Sequence, residues 1–444
     1  MRPAPTETRG ALTHRRVLRA AAPIVLSNAT VPILGAVDTG VVGQMGQAAP
    51  IGAVGIGAII LTGIYWIFGC LRMGTAGLTA QAVGAGHQGE VAAMLTRASA
   101  IGLFAGLFIV LAQAPLIWGA FIVAPASPEV ESLARTYMEI RIFSAPAAIA
   151  LYGLTGWLIA LERTGSVFVI QLWMNGLNIV LDLVFVLQLG WGVEGVALAT
   201  FLAEWSGLAL GFYLCRDVFN TSGWRDWRRI RDKTSLVRMW AVNRDILIRS
   251  VLLQISFMSF LFLASDFGDV TLAANQVLLQ FLFITAHAMD GFAFASEAFV
   301  GQAIGARNRA LLRKAAVLCT FWAGCVGGAL AMVFALWGSL VIDVMTTAPE
   351  VRTEARLYLI YMIVSPVAGI LAWILDGIFI GATRTVDMRN MMLVSFVCYM
   401  ASLVLLVPWL GNHGLWLSLL VLFLARGITL GIKYPALEAS AEAQ

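Results

Sequence analysis

Long stretches of this chain carry no charge at all. The segments 98–128, 315–342 and 390–412 contain no Asp, Glu, Lys or Arg, and each exceeds the roughly 20 residues a helix needs to cross a bilayer core. Ten-residue alternation of apolar and polar positions, the mark of a membrane barrel, is absent. Extending this reading along the chain predicts twelve helical spans, near 17–41, 51–77, 98–123, 134–160, 166–188, 194–215, 246–265, 271–297, 315–341, 356–382, 390–409 and 413–434. Asp376 interrupts the tenth. The expected fold is therefore an all-α integral membrane protein of twelve transmembrane helices in two pseudo-symmetric six-helix lobes. The N-lobe takes residues 1–215, a cytoplasmic interlobe linker 216–245, and the C-lobe 246–444.

The two lobes are written in the same words. Shifted by 221 residues, Pro128-Glu129-Val130, Ala134-Arg135 and Tyr137 become Pro349-Glu350-Val351, Ala355-Arg356 and Tyr358. Gln81-Ala82 and Gly84-Ala85 become Gln302-Ala303 and Gly305-Ala306, and Ser144, Gly156, Ile159, Arg163-Thr164 and Gly190 become Ser365, Gly377, Ile380, Arg384-Thr385 and Gly411. The offset is constant from Gln81 to Gly190, so helix and loop lengths match over that span. Six spans per half is an even number, so both halves insert with one orientation. A pseudo-two-fold along the membrane normal is expected, in the manner of two-lobed secondary transporters.

Charge then sets the orientation. The chain is 12% charged and 60% hydrophobic, and its few Lys and Arg cluster in the N-terminus and the even-numbered loops. Eight fall between Arg216 and Arg244 alone. The opposite loops, such as PASPEVE and SDFGDVT, are neutral or acidic. Both termini are thus expected in the cytoplasm of an inner (plasma) membrane protein, with no cleavable signal. The net charge of +4 reflects this orientation signal rather than nucleic-acid binding. Trp224, Trp227 and the arginines of the linker suit a tether lying on the anionic inner leaflet. The five cysteines lie in apolar helices without metal-type spacing and read as packing residues. No Walker loop, HExxH helix or CxxC is present, and Gly52, Gly55 and Gly57 follow no strand.

Charges inside spans cost a few kcal/mol each unless paired or wet, which makes them candidate sites. Asp38 lies nineteen residues past Arg19, and Asp182 nineteen past Arg163. Both therefore climb roughly 28 Å along their helices and reach similar depth. Asn178 and Asn175 lie one and two turns below Asp182 on its face. Carboxylates joined by amides can hold a proton or Na⁺ and exchange it for a cationic substrate. Arg72 and Glu204 form a second candidate, read as an ion pair within the first lobe. Asp290 and Glu297, seven apart on the eighth span, and Asp376 on the tenth are the acids of the other half, with His287 one turn from Asp290 as a packed neutral ring. None of these charges recurs at the 221 offset, so the lobes divide labour. Pro23 and Pro32 mark the first span as a candidate hinge.

The segments AVDTGVVGQMG (36–46), RMGTAGLTAQAVGAG (72–86), LERTGSVFVIQLWMNGLNIVLDL (161–183), GVEGVALATFLAEW (192–205), DVTLAANQVLLQF (269–281), HAMDGFAFASEAFVGQAIGAR (287–307) and LDGIFIGATRTVDMRN (375–390) resemble the multidrug and toxic compound extrusion family, in its DinF-like branch. The resemblance implies two six-helix lobes around a central cavity and exchange of small organic cations or amphipathic toxic compounds for H⁺ or Na⁺, with no other cofactor, by a functional monomer. It also implies an N-lobe cation site at Asp38, Asn178 and Asp182, where Na⁺ can bind. The family's other branch places its carboxylates in the C-lobe; no acid precedes Asp266 in the seventh span, and Asp376 is the residue that would serve that scheme. Three other readings compete: a lipid-linked precursor flippase, which would need several cavity arginines; a major-facilitator carrier, whose basic loop is replaced here by GAGHQGE (84–90); and an intramembrane enzyme using Asp290 or Asp376 as an acid.

Overall fold

The computed structural model describes residues 11–44, 48–123 and 126–442, with the backbone alone described at 31–33, 36, 38, 39, 48 and 123. Its helices are α1 (His14–Gly43), α2 (Ala48–Trp66), α3 (Gly69–Gly84), α4 (Gln88–Leu111), α5 (Gln113–Val123), α6 (Pro128–Arg141), α7 (Ala145–Ala160), α8 (Thr164–Asp182), α9 (Gly192–Leu214), α10 (Trp227–Ile230), α11 (Lys233–Ser265), α12 (Asp269–Gly305), α13 (Arg309–Met345), α14 (Pro349–Ala368), α15 (Ile370–Gly381), α16 (Thr385–Leu410) and α17 (Asn412–Ser440). Taken with the short breaks between α2 and α3, α6 and α7, and α14 and α15 bridged, eleven of these stretches are long and apolar enough to cross a membrane. With α1, which covers the first expected span, the twelve spans are accounted for.

The repeat is visible in the backbone. Helices end or begin 221 residues apart at Gly84 and Gly305, Pro128 and Pro349, Ala160 and Gly381, and Thr164 and Thr385. Left-handed residues recur at the same offset: Gly86 (φ 73°) with Arg307 (53°), Glu162 (61°) with Thr383 (51°), and Gly190 (69°) with Gly411 (55°). A left-handed turn at a helix C-terminus lets the next amide reach back to an unsatisfied carbonyl. Arg163 N donates to Leu158 O and Arg384 N to Phe379 O, at 2.9 and 3.0 Å. These helix ends are thus the same motif built twice. Helix starts use ordinary caps: Ser127 Oγ accepts from Val130 N ahead of Pro128 in α6, and Asn308 Oδ1 accepts from Leu311 N at 2.9 Å in α13.

By contact the chain forms two compact units. The first holds the described residues up to Val25, the segment 80–86, and Arg238 onward; the second holds 26–79 and 87–237. The division falls within α1 between Pro23 and Pro32, and α1 is continuous helix through both positions.

In the first unit, aromatic residues from α11 to α17 make the core, with Phe260 edge-on to Trp416 at 4.6 Å and Phe281 edge-on to Phe334 at 4.9 Å. Several buried polar side chains there hydrogen-bond to one another, which lowers their cost in hydrocarbon. Asn275 and Asn412 exchange hydrogen bonds at 2.7 and 3.0 Å, and Trp416 Nε1 donates to Asn275 Oδ1 at 2.9 Å. The segment 80–86 meets the end of α12 in a reciprocal contact. A Cβ at Gly84 would strike the Gln302 carbonyl, and one at Gly305 would strike the Gln81 carbonyl. Because 84 and 305, and 81 and 302, are repeat mates, the two glycines let identical segments cross at backbone distance. Gln81 Nε2 then donates to Gly381 O at 3.1 Å and Thr383 Oγ1 at 3.0 Å, while Arg238 Nη2 donates to Gln81 Oε1 at 2.7 Å.

The second unit packs α2 and α4–α9 together, and residues 216–230 fold back along the start of α4. Arg163 and Asp217 pair there at the surface. The hydrogen bonds from Arg163 hold the Asp217 carboxyl below its ordinary range. A depressed carboxyl contributes stability above its unfolded value and loses it as pH falls through the folded one.

Two outcomes test these contacts. Gly84→Leu and Gly305→Leu should each lower thermal stability in detergent markedly, by about 2 kcal/mol or more, whereas Gly431→Leu, whose Cβ meets nothing within 4 Å, should not. Asp217→Asn should cost only a fraction of a kcal/mol at neutral pH, since the pair is largely exposed. That difference should vanish in melting curves as the pH is lowered through the depressed carboxylate value.

Candidate functional site

Helix α8 carries its polar residues as a single buried stripe. Gln171, Asn175, Asn178 and Asp182 follow one another at intervals of four, three and four, the spacing that keeps residues on one helix face. Asn175, Asn178 and Asp182 are 5%, 1% and 0% exposed. Each amide is oriented by neighbours: Gln171 Nε2 donates to Asn175 Oδ1 at 3.0 Å, Asn175 Nδ2 to Thr30 Oγ1 of α1 at 2.7 Å, and Asn178 Nδ2 to Thr200 Oγ1 of α9 at 3.1 Å. The two hydroxyls pass their own protons to backbone carbonyls, Thr30 to Ser27 O at 2.7 Å and Thr200 to Val196 O at 3.1 Å. A hydroxyl that donates to a carbonyl in this way is free to accept from an amide, which favours the amide orientation seen here. Directly after Asp182 the helix widens into a π-helical turn over Leu183–Gln188, a local irregularity often found beside functional residues.

The contact between Asn175 and Thr30 sets the register of α8 against α1. Both helices cross in the same direction, being odd-numbered spans. From Thr30 to Asp38 is eight residues, about 12 Å, and from Asn175 to Asp182 seven, about 10 Å, at 1.5 Å per residue. Asp38 and Asp182 thus follow that contact by a similar rise, each along its own helix. The side chains of Asp38 and Pro32 lie outside the described residues.

Deeper arginines organise the other charges. Glu204 on α9 is paired with Arg141, the last residue of α6, through two parallel bonds of 2.7 and 2.9 Å, and both side chains are nearly buried. Arg141 also donates to Ser144 Oγ, and Tyr65 donates to the Arg141 carbonyl at 3.3 Å. This corrects the expected Arg72–Glu204 pair: Glu204 is held by Arg141. A bidentate fork aligns guanidinium and carboxylate planes, and the break between α6 and α7 at residues 142–144 accompanies it. Arg72, half-buried, lies within electrostatic reach of Tyr152, as does Glu204.

In the first unit Asp376 is the hub. Its Oδ2 accepts from Arg426 of α17 and pairs with Arg249 of α11, and all three residues are less than a tenth exposed. A carboxylate held by two guanidiniums is already neutralised and is no open ligand for a cation, which removes the role Asp376 would have in a C-lobe cation scheme. Asp245 is similarly engaged, accepting from Arg389 Nη1 at 2.7 Å. Glu297 is buried and Asp290 half-buried on α12, both with interaction partners. His287 is half-buried on the same helix.

Sequence reasoning thus missed Arg141, Arg249, Arg426, Thr30 and Thr200. A signal existed for the arginines: each lies inside an apolar span, where an unpartnered guanidinium is costly. The two threonines carried none.

A duplicated helical bundle of this kind, with ion pairs and polar stripes sealed inside it, defines a multi-pass membrane transporter. The chain belongs to the MatE family, whose model matches it twice, over residues 23–184 and 246–406. It is 38% identical to the DNA damage-inducible protein F of Escherichia coli (strain K12) over 411 residues, covering 92% of this chain and 89% of that protein. It is 26% identical over 371 residues to a probable multidrug resistance protein NorM of Neisseria meningitidis (serogroup A, strain DSM 15465 / Z2491), covering 79% of this chain and 78% of that one. Among solved structures, the Vibrio cholerae MATE transporter VcmN in its bent form superposes with a TM-score of 0.88 at 20% identity, over 97% of this chain and 98% of that one. The protein is a transporter, not an enzyme.

Removing one member of the Asp376 cluster tests its structural weight. Asp376→Ala should destabilise the protein by about 3–5 kcal/mol by stranding two buried guanidiniums. The triple variant Asp376→Leu, Arg249→Met, Arg426→Met should recover much of that loss in thermal melts.

Proposed function

We propose that this chain is a coupled exporter that moves small organic cations or amphipathic drugs out of the cell in exchange for H⁺ or Na⁺. It works as a monomer in the inner membrane, with both termini in the cytoplasm, where most of the Lys and Arg of its loops would then lie. The N-lobe binds the coupling ion. The observation that carries this reading is the buried stripe Asn175–Asn178–Asp182, tied through Thr30 to α1, the helix that carries Asp38. The name of one relative adds a substrate class: the Neisseria protein is a probable multidrug resistance protein.

In the proposed cycle the Asp38 and Asp182 carboxylates attract an organic cation or the coupling ion, but not both. When H⁺ or Na⁺ arrives, the anionic charge that held the drug is cancelled and the drug leaves. Asn178, steadied by Thr200, supplies an amide oxygen of suitable hardness for Na⁺ or a hydrogen-bond partner for a protonated acid. Neutralising the acid also lowers the cost of placing α1 against hydrocarbon, and the stretch from Pro23 to Pro32 is where it would bend.

The test is uptake of a fluorescent dye cation by inverted vesicles under imposed H⁺ and Na⁺ gradients in turn. Wild type should accumulate dye under one of them. Asp38→Asn should fall to the level of empty vesicles while inserting normally, and unchanged uptake in that variant would sink the assignment. Thr200→Val should weaken coupling-ion binding by roughly ten-fold, the cost of an amide left without its acceptor, and leave the maximal rate close to wild type.

A further inference from the structure

The segment that follows α9 is pinned to the protein at one particular depth. Thr96 Oγ1 donates to the Trp224 carbonyl at 2.7 Å. The guanidinium of Arg97, only 2% exposed, donates through Nε to Ile230 O at 3.0 Å and through Nη2 to Arg229 O at 2.5 Å. Its other edge pairs with Glu90. Gly223 lies against Gly89 and Ala92, at a spacing that leaves no room for a side chain. Arg97 is also the last charged residue of α4, because the uncharged run begins at position 98. Residues 224–230 therefore sit where this helix passes from polar surroundings into hydrocarbon. That border is the headgroup layer.

The charges on the segment are unequal in availability. Two of its acids are paired with arginines, Asp217 with Arg163 and Asp226 with Arg229 at 3.6 Å, while Asp232, which accepts from Ser235 N at 2.8 Å, keeps its charge and leaves the segment net positive. Arg225, Arg228, Arg231 and Lys233 are all exposed, and among the described residues no carboxylate pairs with any of them. Beside them Trp227 is 61% exposed, with the Arg231 guanidinium 5.2 Å from its ring centre. An amphipathic ring bordered by cations is the composition found at membrane–water interfaces.

We propose that residues 224–233 form a docking surface for anionic phospholipid headgroups, independent of the transport site. The arginines fork onto phosphate oxygens, the net negative charge of the lipid supplies the preference over zwitterionic neighbours, and Trp227 inserts among the glycerol backbones. Arg97 does not touch the lipid; it holds the segment flat at the right depth.

The experiment uses the full chain in nanodiscs of phosphatidylcholine alone, or with an equal part of phosphatidylglycerol. One lipid at a time carries brominated acyl chains, which quench nearby tryptophan. The difference between wild type and Trp227→Phe isolates the signal of Trp227. Brominated phosphatidylglycerol should quench it at least several-fold more effectively than brominated phosphatidylcholine, and added salt should reduce that preference. Arg225→Gln, Arg228→Gln, Arg231→Gln and Lys233→Gln together should abolish the preference while quenching by phosphatidylcholine persists. Equal quenching by the two lipids in wild type, or a preference that survives the four substitutions, overturns the proposal. Should the four-fold variant fold poorly, the Arg228→Gln and Arg231→Gln pair in the wild-type background reads the same preference, and no reduction there overturns it equally.

Discussion

The constraint on which this structure depends is that hydrocarbon makes an unpaired guanidinium or carboxylate costly. Among the described residues each compact unit answers it with buried ion pairing, Arg141 with Glu204 in one and Asp376 with Arg249 and Arg426 in the other. Such clusters add little net stability over apolar packing, yet breaking one is expensive. Their effect is to specify which helices meet. Arg141 and Glu204 join the end of α6 to α9, and the Asp376 cluster joins α11, α15 and α17, helices that are all apolar and could otherwise slide or rotate against one another at small cost.

Duplication copied the backbone and left the chemistry to diverge. The paired left-handed residues at 86 and 307, 162 and 383, and 190 and 411 show that turn geometry survived. It did so even where glycine was replaced by Arg307. Helix ends and close crossings survive because a changed length or a bulky residue there would displace a whole helix. Charged side chains inside the helices face no such restriction, and Asp182 and Asp376 map onto Leu403 and Thr155.

This explains what could be read from the sequence. Spans and repeat were legible because hydrophobic run length and a fixed offset are one-dimensional properties. The α8 stripe was legible for the same reason, since Asn175, Asn178 and Asp182 share a face of one helix whatever surrounds it. Pairing between helices was not. Arg72 and Glu204 were matched by counting residues from their helix ends, which gives depth and says nothing of rotation; Arg141, beside the helix break, turns toward Glu204 instead. Arg249 escaped notice because the seventh span was expected to begin at 246. The helix starts at Lys233, so Arg249 stands sixteen residues inside it. Thr30 and Thr200 were invisible because a threonine in a membrane helix has no signature until its acceptor role is seen.

The contrast between the two clusters and the α8 stripe bears on where a transported cation can bind. Asp376 faces two guanidiniums, and Glu204 a bidentate one, so a cation arriving at either would have to displace an arginine into hydrocarbon. The stripe carries amides instead, which donate to the hydroxyls of Thr30 and Thr200. Amides carry no charge of their own with which to cancel that of a carboxylate on the same helix face. A carboxylate in that setting keeps its affinity for a proton, Na⁺ or an organic cation, and can exchange one for another without breaking the helix contacts that the arginines secure. On the proposed mechanism, coupling therefore belongs to the polar stripe and stability to the ion clusters, and the two can be altered separately because Asp182 and Glu204 hang from different helices.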